Sequence, residues 1–297
     1  MVRKINKDSG SILTRKTTGE KILYIFVFIL FLIQSLTLLM PVLWMIMSSF
    51  KGALEYMGGD AFALPEKWLF FNYPKAFKVL ELKGGTNFFG MTWNSIWYTA
   101  ISTALGIFMP ALTGYVMAKY NFPGKQAIFS IAIISMLIPI VGATASRMKI
   151  IAELGIYDNP LYVVVTYLGG FGGSFLVSYG FFKALSWSYA EAVMMDGGGH
   201  FTIFFKVMLP QAAPILLTYA ITGAIGNWNE YQTMILFLPS YPTLASGLFE
   251  YKENAVRAAN FPVYFAGLIL SVIPTITLFC IFSNRIMTSI SIGGLKG

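Results

Sequence analysis

The sequence predicts an all-α, polytopic membrane protein with six transmembrane helices, and three observations lead there. Apolar residues fill 56% of the 297 positions and charged residues only 11%. A water-soluble domain carries about a quarter charged residues, so this chain cannot cover itself in water. Six stretches are long and apolar enough to cross a hydrocarbon layer, which takes about 20 residues at about 1.5 Å of rise each. The stretches are continuous and do not alternate every second residue as barrel strands do, and lipid offers no water partner to a backbone that is neither helical nor in a closed barrel.

The first span is expected from Ile22 to Met47, behind a basic segment holding Arg3, Lys4, Lys7, Arg15 and Lys16. That apolar run is about 26 residues long and lacks a small-residue cleavage site, so it reads as a retained span, not a cleaved signal peptide. A loop of about 40 residues, Ser48 to Gly90, follows with Pro65, Trp68, Tyr73 and Pro74. It has room for a short helix or two, either to meet an external partner or to form a packed cap. The remaining spans are expected at Met91 to Met117, Gln126 to Ala145, Leu161 to Phe181, Ala212 to Phe237 and Pro262 to Phe282. Pro41, Pro110, Pro139 and Pro274 lie in or near them and should kink the helices by removing backbone hydrogen bonds. The chain thus divides into residues 1–90, a tail, span and loop, and residues 91–297, a five-helix core.

Charge sets the expected orientation. With the amino terminus in the cytoplasm, six spans return the carboxyl terminus there. Twelve basic residues then face inward, including Lys119, Lys125, Lys183, Lys206, Arg285 and Lys296, against the acids Asp8, Glu20, Glu191 and Asp196. The whole formal charge of +8 falls on that face. This basicity reads as topology and contact with anionic lipid, and no soluble basic domain exists to bind nucleic acid. The single cysteine, Cys280, excludes an intrachain disulfide, and the single histidine, His200, excludes clustered imidazole ligands. No G-x-x-x-x-G-K-[ST] phosphate loop and no G-x-S-x-G elbow occurs, so no catalytic constellation and no cofactor is expected.

The informative segment is residues 183–210, between the fourth and fifth spans. A short helix with Tyr189, Ala192 and Met195 on one face is stopped by glycine after Asp196. A second apolar-faced segment then runs from Phe201 and is ended by Pro210. Such a helix suits a peripheral protein that grips it, or lies in the headgroups; the residues alone leave both open. Late in the fifth span, Asn227, Trp228, Asn229 and Glu230 gather amide, aromatic and carboxylate groups of the kinds that bind hydroxyl-rich solutes. In the other reading Trp228 and Tyr231 are interfacial anchors, and Glu230 reaches headgroups or a neighbouring subunit.

Residues Glu191, Ala192, Asp196, Gly197, Phe204, Val207, Leu209 and Pro210 resemble the E-A-A…G…I-x-L-P signature of binding-protein-dependent transport permeases. Val193 stands where the signature has a third alanine, and Gly198-Gly199 where it has a small pair. Branching and added glycine loosen a helix, though valine still fits a shallow apolar groove. Asn227 to Tyr231 resembles the W-N-E-[FY] element of carbohydrate-importer permeases, and Gly293 to Gly297 looks like the tail of the MalG-like group. The resemblance implies the MetI-like permease fold of a type I ATP-binding-cassette importer. Its partners would be a second permease subunit, two ATPase subunits and an extracellular solute-binding protein or lipoprotein, and its cargo a sugar or oligosaccharide. It also implies that Tyr189 to Gly199 is a coupling helix seated in a groove of the ATPase, where Glu191 makes a charged contact. ATP hydrolysis would then lie in a separate subunit. The rival reading, a secondary transporter working alone, needs buried charges along several spans, and apart from Glu230 these spans are almost free of them.

Overall fold

The computed structural model describes residues 18–79, 86–138, 142–258 and 260–293. The basic residues before Thr18, the Gly84-Gly85 pair, Pro139 and the tail from Gly294 lie outside the described residues. Among the described residues every regular element is helical. Four helices are long and apolar enough to cross a membrane: α1 (Thr18–Ser49), α4 (Phe88–Lys119), the run His200–Trp228, and α14 (Phe261–Gly293), apolar from Phe261 to Phe282. Between α1 and α4 lie the short helices α2 (Ala53–Gly58) and α3 (Asn72–Val79).

The two middle members of the six expected spans are not single long helices. The third expected span is α5 (Lys125–Leu137), 13 residues that would rise only about 20 Å, followed from Gly142 by α6 (Ala143–Glu153). The fourth is broken into α7 (Leu161–Tyr167) and α8 (Gly173–Ala184). Its glycines cause the break: Gly170 has φ +63° and Gly172 φ +143°, conformations that only glycine takes freely. The fifth expected span is also displaced. After α9 (Ser188–Met195), helix α10 (His200–Thr202), a π-helical stretch (Ile203–Met208) and α11 (Leu209–Trp228) run together without interruption. The helix therefore starts earlier than Ala212 and stops at Trp228, before α12 (Gln232–Phe237) and α13 (Leu244–Ala258).

Pro210 does not end its segment, as the sequence suggests. It sits in the first turn of α11, and the wider π turn ahead of it takes up the missing amide. Pro41, Pro110 and Pro274 are likewise carried inside continuous helices.

Helix α4 is the axis of the bundle, packed along both α8 and α11. The α4–α8 approach is close because Gly114 has no side chain. A Cβ there would lie 2.9 Å from Ser178 Cβ and from the Tyr179 nitrogen. By contrast α1 packs chiefly on α14, and none of its most apolar window is buried within the chain.

The loop after α1 is a packed cap. Trp44 Nε1 donates to the Ala61 carbonyl (2.8 Å), Asn72 Nδ2 to the Ser49 and Lys51 carbonyls, and the Ser49 and Tyr73 hydroxyls meet at 3.0 Å. Lys51 is buried, its ammonium directed at the carbonyls of Asp60 and Ala61. Helices α2 and α3 rest on α14, and the cluster beneath joins Ala76, Phe88, Trp228, Leu248 and Val263.

Two outcomes follow from this packing. Replacing Gly114 with valine should separate α4 from α8 at a cost of about 1–3 kcal/mol, read as a lowered Tm of the purified protein in detergent. In the cap, the Glu55 carboxylate accepts from the amides of Glu66 (2.7 Å) and Gly52 (3.0 Å), and these bonds hold its pKa below the ordinary carboxylate value of 4.5. The folded-state value is the lower one, so this stabilisation is complete above that ordinary value and is lost as pH falls through the lowered one. The protection of the Glu66 amide against hydrogen exchange, relative to its intrinsic rate at each pH, should therefore fall on acidification, and a Glu55→Gln variant should show no such dependence.

Candidate functional site

Two features stand apart from simple helix packing, at opposite positions along α4. The first is α9 and its stop. Leu185 leaves α8 in an extended conformation, Ser186 Oγ accepts the Ser188 amide at 3.2 Å, and α9 begins. Its far end closes by two backbone bonds, Gly197 N to the Met194 carbonyl (3.0 Å) and Gly198 N to the Val193 carbonyl (2.8 Å). With Gly197 at φ +77°, this is a Schellman stop, in which each bond satisfies a carbonyl that the helix end would leave bare. The sequence reading that Gly198 loosens this end is corrected here. A Cβ on Gly198 would fall 2.5 Å from Val193 Cγ1, so the second glycine permits the tight closure.

One side of α9 is fixed and the other is open. Ala190 is fully buried and Val193 half-buried, against a cluster of Ala111, Tyr115, Phe182, Ile203 and Phe204. Tyr189, Glu191, Ala192, Met195, Asp196 and Gly197 are exposed, with Met195 at 88% and Tyr189 at 48% of full accessibility. The face expected at Tyr189, Ala192 and Met195 thus exists, with Glu191 in the first turn, where its charge complements the helix dipole. Leu209 and Pro210 are not on it. Leu209 packs on the inner cluster, and Pro210 opens α11.

The second feature is a cavity of about 340 Å³ between α4, α11 and the break joining α7 to α8. Hydroxyl and amide groups line it: Ser102 and Thr103 from α4, Tyr167, Ser174, and Tyr219, Thr222 and Asn227 from α11. Asn227 ties three elements together, donating to Thr103 Oγ1 (3.1 Å) and accepting from the Tyr167 hydroxyl (3.1 Å). Gly106 lets the Tyr167 ring approach, since a Cβ there would stand 3.2 Å from it.

The four residues singled out late in the fifth span do not converge. Asn227 lines the cavity. Trp228 is buried, its Nε1 donating to the Ser271 carbonyl at 3.0 Å, and with Asn229 it borders a separate cleft of about 210 Å³ beside Tyr231 and Phe249. Asn229 Nδ2 turns back to the Ile225 carbonyl (2.8 Å), while Glu230 Oε1 accepts the Thr233 amide (2.8 Å) at the start of α12. Sequence reading missed Ser102, Thr103, Tyr167, Ser174, Tyr219 and Thr222. Hydroxyls scattered singly in apolar runs carry no local signal, because Ser and Thr in such helices commonly bond the preceding turn. The repeat of Tyr219, Thr222 and Gly223 before Asn227, at one-turn spacing, is the one pattern that marks the face.

Residues 110–290 match the family described as the binding-protein-dependent transport system inner membrane component, a stretch that includes α9, most of the cavity and α14. The chain is 28% identical over 270 residues to the diacetylchitobiose uptake system permease protein NgcG of Streptomyces coelicolor, covering 90% of this chain and 87% of that one. It is 27% identical to the trehalose transport system permease protein SugB of Mycobacterium tuberculosis, covering 87% and 93%. The arabinooligosaccharides transport system permease protein AraQ of Bacillus subtilis is 26% identical, over 90% and 94%. Among solved structures, the fold is similar to a chain from a bacterial ABC transporter involved in import of the acidic polysaccharide alginate. The TM-score is 0.72 at 22% identity, over 91% of this chain and 98% of that one.

The α9 stop yields a direct check. Alanine at Gly197 must hold a left-handed conformation, costing about 1–2 kcal/mol. Hydrogen exchange of the Ala192 to Asp196 amides should quicken about fivefold or more, while the amides of α4 are unchanged.

Proposed function

The chain belongs to the family of binding-protein-dependent transport system inner membrane components, and on that footing we propose that it is the permease subunit of an ATP-driven importer for a sugar or oligosaccharide. The observation that carries this reading is α9: a short helix closed at its glycine stop, buried on one side and presenting Tyr189, Ala192 and Met195 on the other. A polar molecule crossing alone would need no such handle. In this reading Tyr189, Glu191, Ala192, Val193, Met195, Asp196 and Gly197 form the coupling helix, with Val193 setting its seat and the exposed face entering a groove of an ATPase. Leu209 and Pro210 act one step behind, by fixing the start of α11.

The termini and α9 face the cytoplasm of a bacterial cell, and the cap of α2 and α3 faces outward, where a solute-binding protein delivers its cargo. A second permease subunit completes the pathway. Two ATPase subunits close on ATP, draw the coupling helices together and shift the helices around the cavity between inward- and outward-facing states. Energy for that shift comes only from differential binding to the two states. Hydrolysis is their chemistry and not this chain's.

The sugar assignment draws on the similar permeases, which are named for diacetylchitobiose, trehalose and arabinooligosaccharides. It draws equally on the cavity, whose hydroxyls and the Asn227 amide pair with sugar hydroxyls without presenting a charge. Asn227 is the pathway residue of the original four. Trp228, Asn229 and Glu230 hold the end of α11 and the start of α12.

The test is copurification followed by uptake. The chain expressed with its cognate permease partner and ATPase should retain the ATPase through purification, and Gly197→Asp should lose it while staying folded in the membrane. With the binding protein added, vesicles should take up labelled diacetylchitobiose, trehalose or an arabinooligosaccharide only when ATP is supplied. Uptake by the chain alone, driven by an ion gradient, would instead establish a secondary transporter.

A further inference from the structure

Two consecutive residues at the end of α4 hold the coupling segment on both of its sides. Lys119 Nζ donates to the Leu185 carbonyl, the residue at which α8 gives way to the turn before α9. The next residue, Tyr120, shares a hydrogen bond of 2.9 Å between its hydroxyl and His200 Nδ1, at the first position after the glycine stop. Its ring also meets Trp187, the residue that precedes α9, edge-on at 6.0 Å. The Tyr120 hydroxyl is itself braced by that of Tyr115 (3.2 Å), whose ring is buried against Phe182 and Phe204. The Tyr120 carbonyl accepts from Lys125 Nζ at 2.8 Å.

We infer that Lys119 and Tyr120 are positioning residues that bind the coupling segment to α4, so that a displacement of α9 moves α4 as a rod and reaches the cavity. This rests on the coupling role proposed for α9. The geometry favours such a route. Thr103, in the wall of the cavity, and Lys119 belong to one unbroken helix and are separated by about 24 Å of rise. Lys119 grips the chain entering α9 and Tyr120 the chain leaving it, so a pull on the exposed face is passed to α4 from both ends. Without the pair, α9 would be joined to the bundle by Ala190, Val193 and its two chain connections alone.

The experiment uses the assembled complex of both permeases and the ATPase in lipid nanodiscs. Cys280 is replaced by serine and Thr222, in the cavity wall, by cysteine as the reporter. The reaction rate of that cysteine with N-ethylmaleimide is measured without nucleotide and after trapping with ATP and vanadate, and ATPase activity is measured in parallel. Trapping should change the labelling rate when the pair is intact. Tyr120→Phe keeps the ring contacts and removes the hydroxyl, and should shrink that change about fivefold, the worth of one hydrogen bond of about 1 kcal/mol, with the ATPase still bound and active. His200→Ala should do the same, and the double variant should be no worse than either single one. Lys119→Met should also uncouple, and Lys119→Arg should restore coupling.

An unchanged labelling response in both Tyr120→Phe and Lys119→Met would overturn the inference. So would losses of labelling response and ATPase binding in equal measure, which mark a merely structural role. Should Lys119→Met fail to assemble, Tyr120→Phe and His200→Ala decide the matter. Failure of the unaltered chain to retain the ATPase would instead remove the coupling reading itself, a result distinct from any of these.

Discussion

The hydrogen bond from the Thr113 hydroxyl to the Gly170 carbonyl, 2.7 Å long, shows the constraint on which the whole architecture depends. Inside an apolar layer a freed backbone group has no water to turn to, so each interruption of a helix must find its partner within the protein. The fourth apolar run is interrupted at its glycines, and α4 supplies the partner. The approach is possible only because Gly170 lacks a side chain: a Cβ there would lie 2.8 Å from Thr113 Cγ2 and 2.9 Å from the Met109 carbonyl. Gly114, one residue on, does the same for α8. Contact between α4 and the broken helix is therefore set by small residues and one hydroxyl, in keeping with how helices associate where lipid is as apolar as leucine.

The other interruptions obey the same rule by different means. Ahead of Pro210 the helix widens to a π turn. At the end of α11, Asn229 turns its amide back to the Ile225 carbonyl, and Glu230 accepts the Thr233 amide in the first turn of α12. These polar side chains serve the backbone first, which is why they do not gather around one ligand. The cavity instead forms where a helix has been broken and not refilled. Its wall is the set of hydroxyls on α4 and α11 that face the gap, together with the Asn227 amide that bridges them.

The helical, membrane-crossing character of the chain was plain in its composition and in the length of its apolar runs. So was the segment around Glu191 and Gly197, because a glycine in the left-handed region after a short apolar face leaves a mark at fixed spacing. What the sequence hid were the features that depend on contacts across the chain. An apolar run of 21 residues from Leu161 to Phe181 reads as one span until Gly170 is seen against Thr113, 57 positions away. Pro210 reads as a stop because the local rule for proline ignores the option of a wider turn. Trp228 looks like a ring available for stacking, yet it is committed to Ser271 and the cluster beneath the cap. The cavity hydroxyls were invisible for the same reason, each one ordinary in its own turn.

Mechanical continuity distinguishes the two routes out of the α9 segment. One follows the chain through His200 into the π turn, Pro210 and Pro214, where the regular ladder of amide bonds is repeatedly altered. A helix so interrupted bends when pulled, because the bonds that resist bending are missing. The other passes sideways through Lys119 and Tyr120 into α4. Its one proline, Pro110, is buried within the bundle. Given the coupling role proposed for α9, stiffness along α4 and compliance along α11 would let one bundle carry a displacement from α9 to its cavity while the helix beside it changes shape.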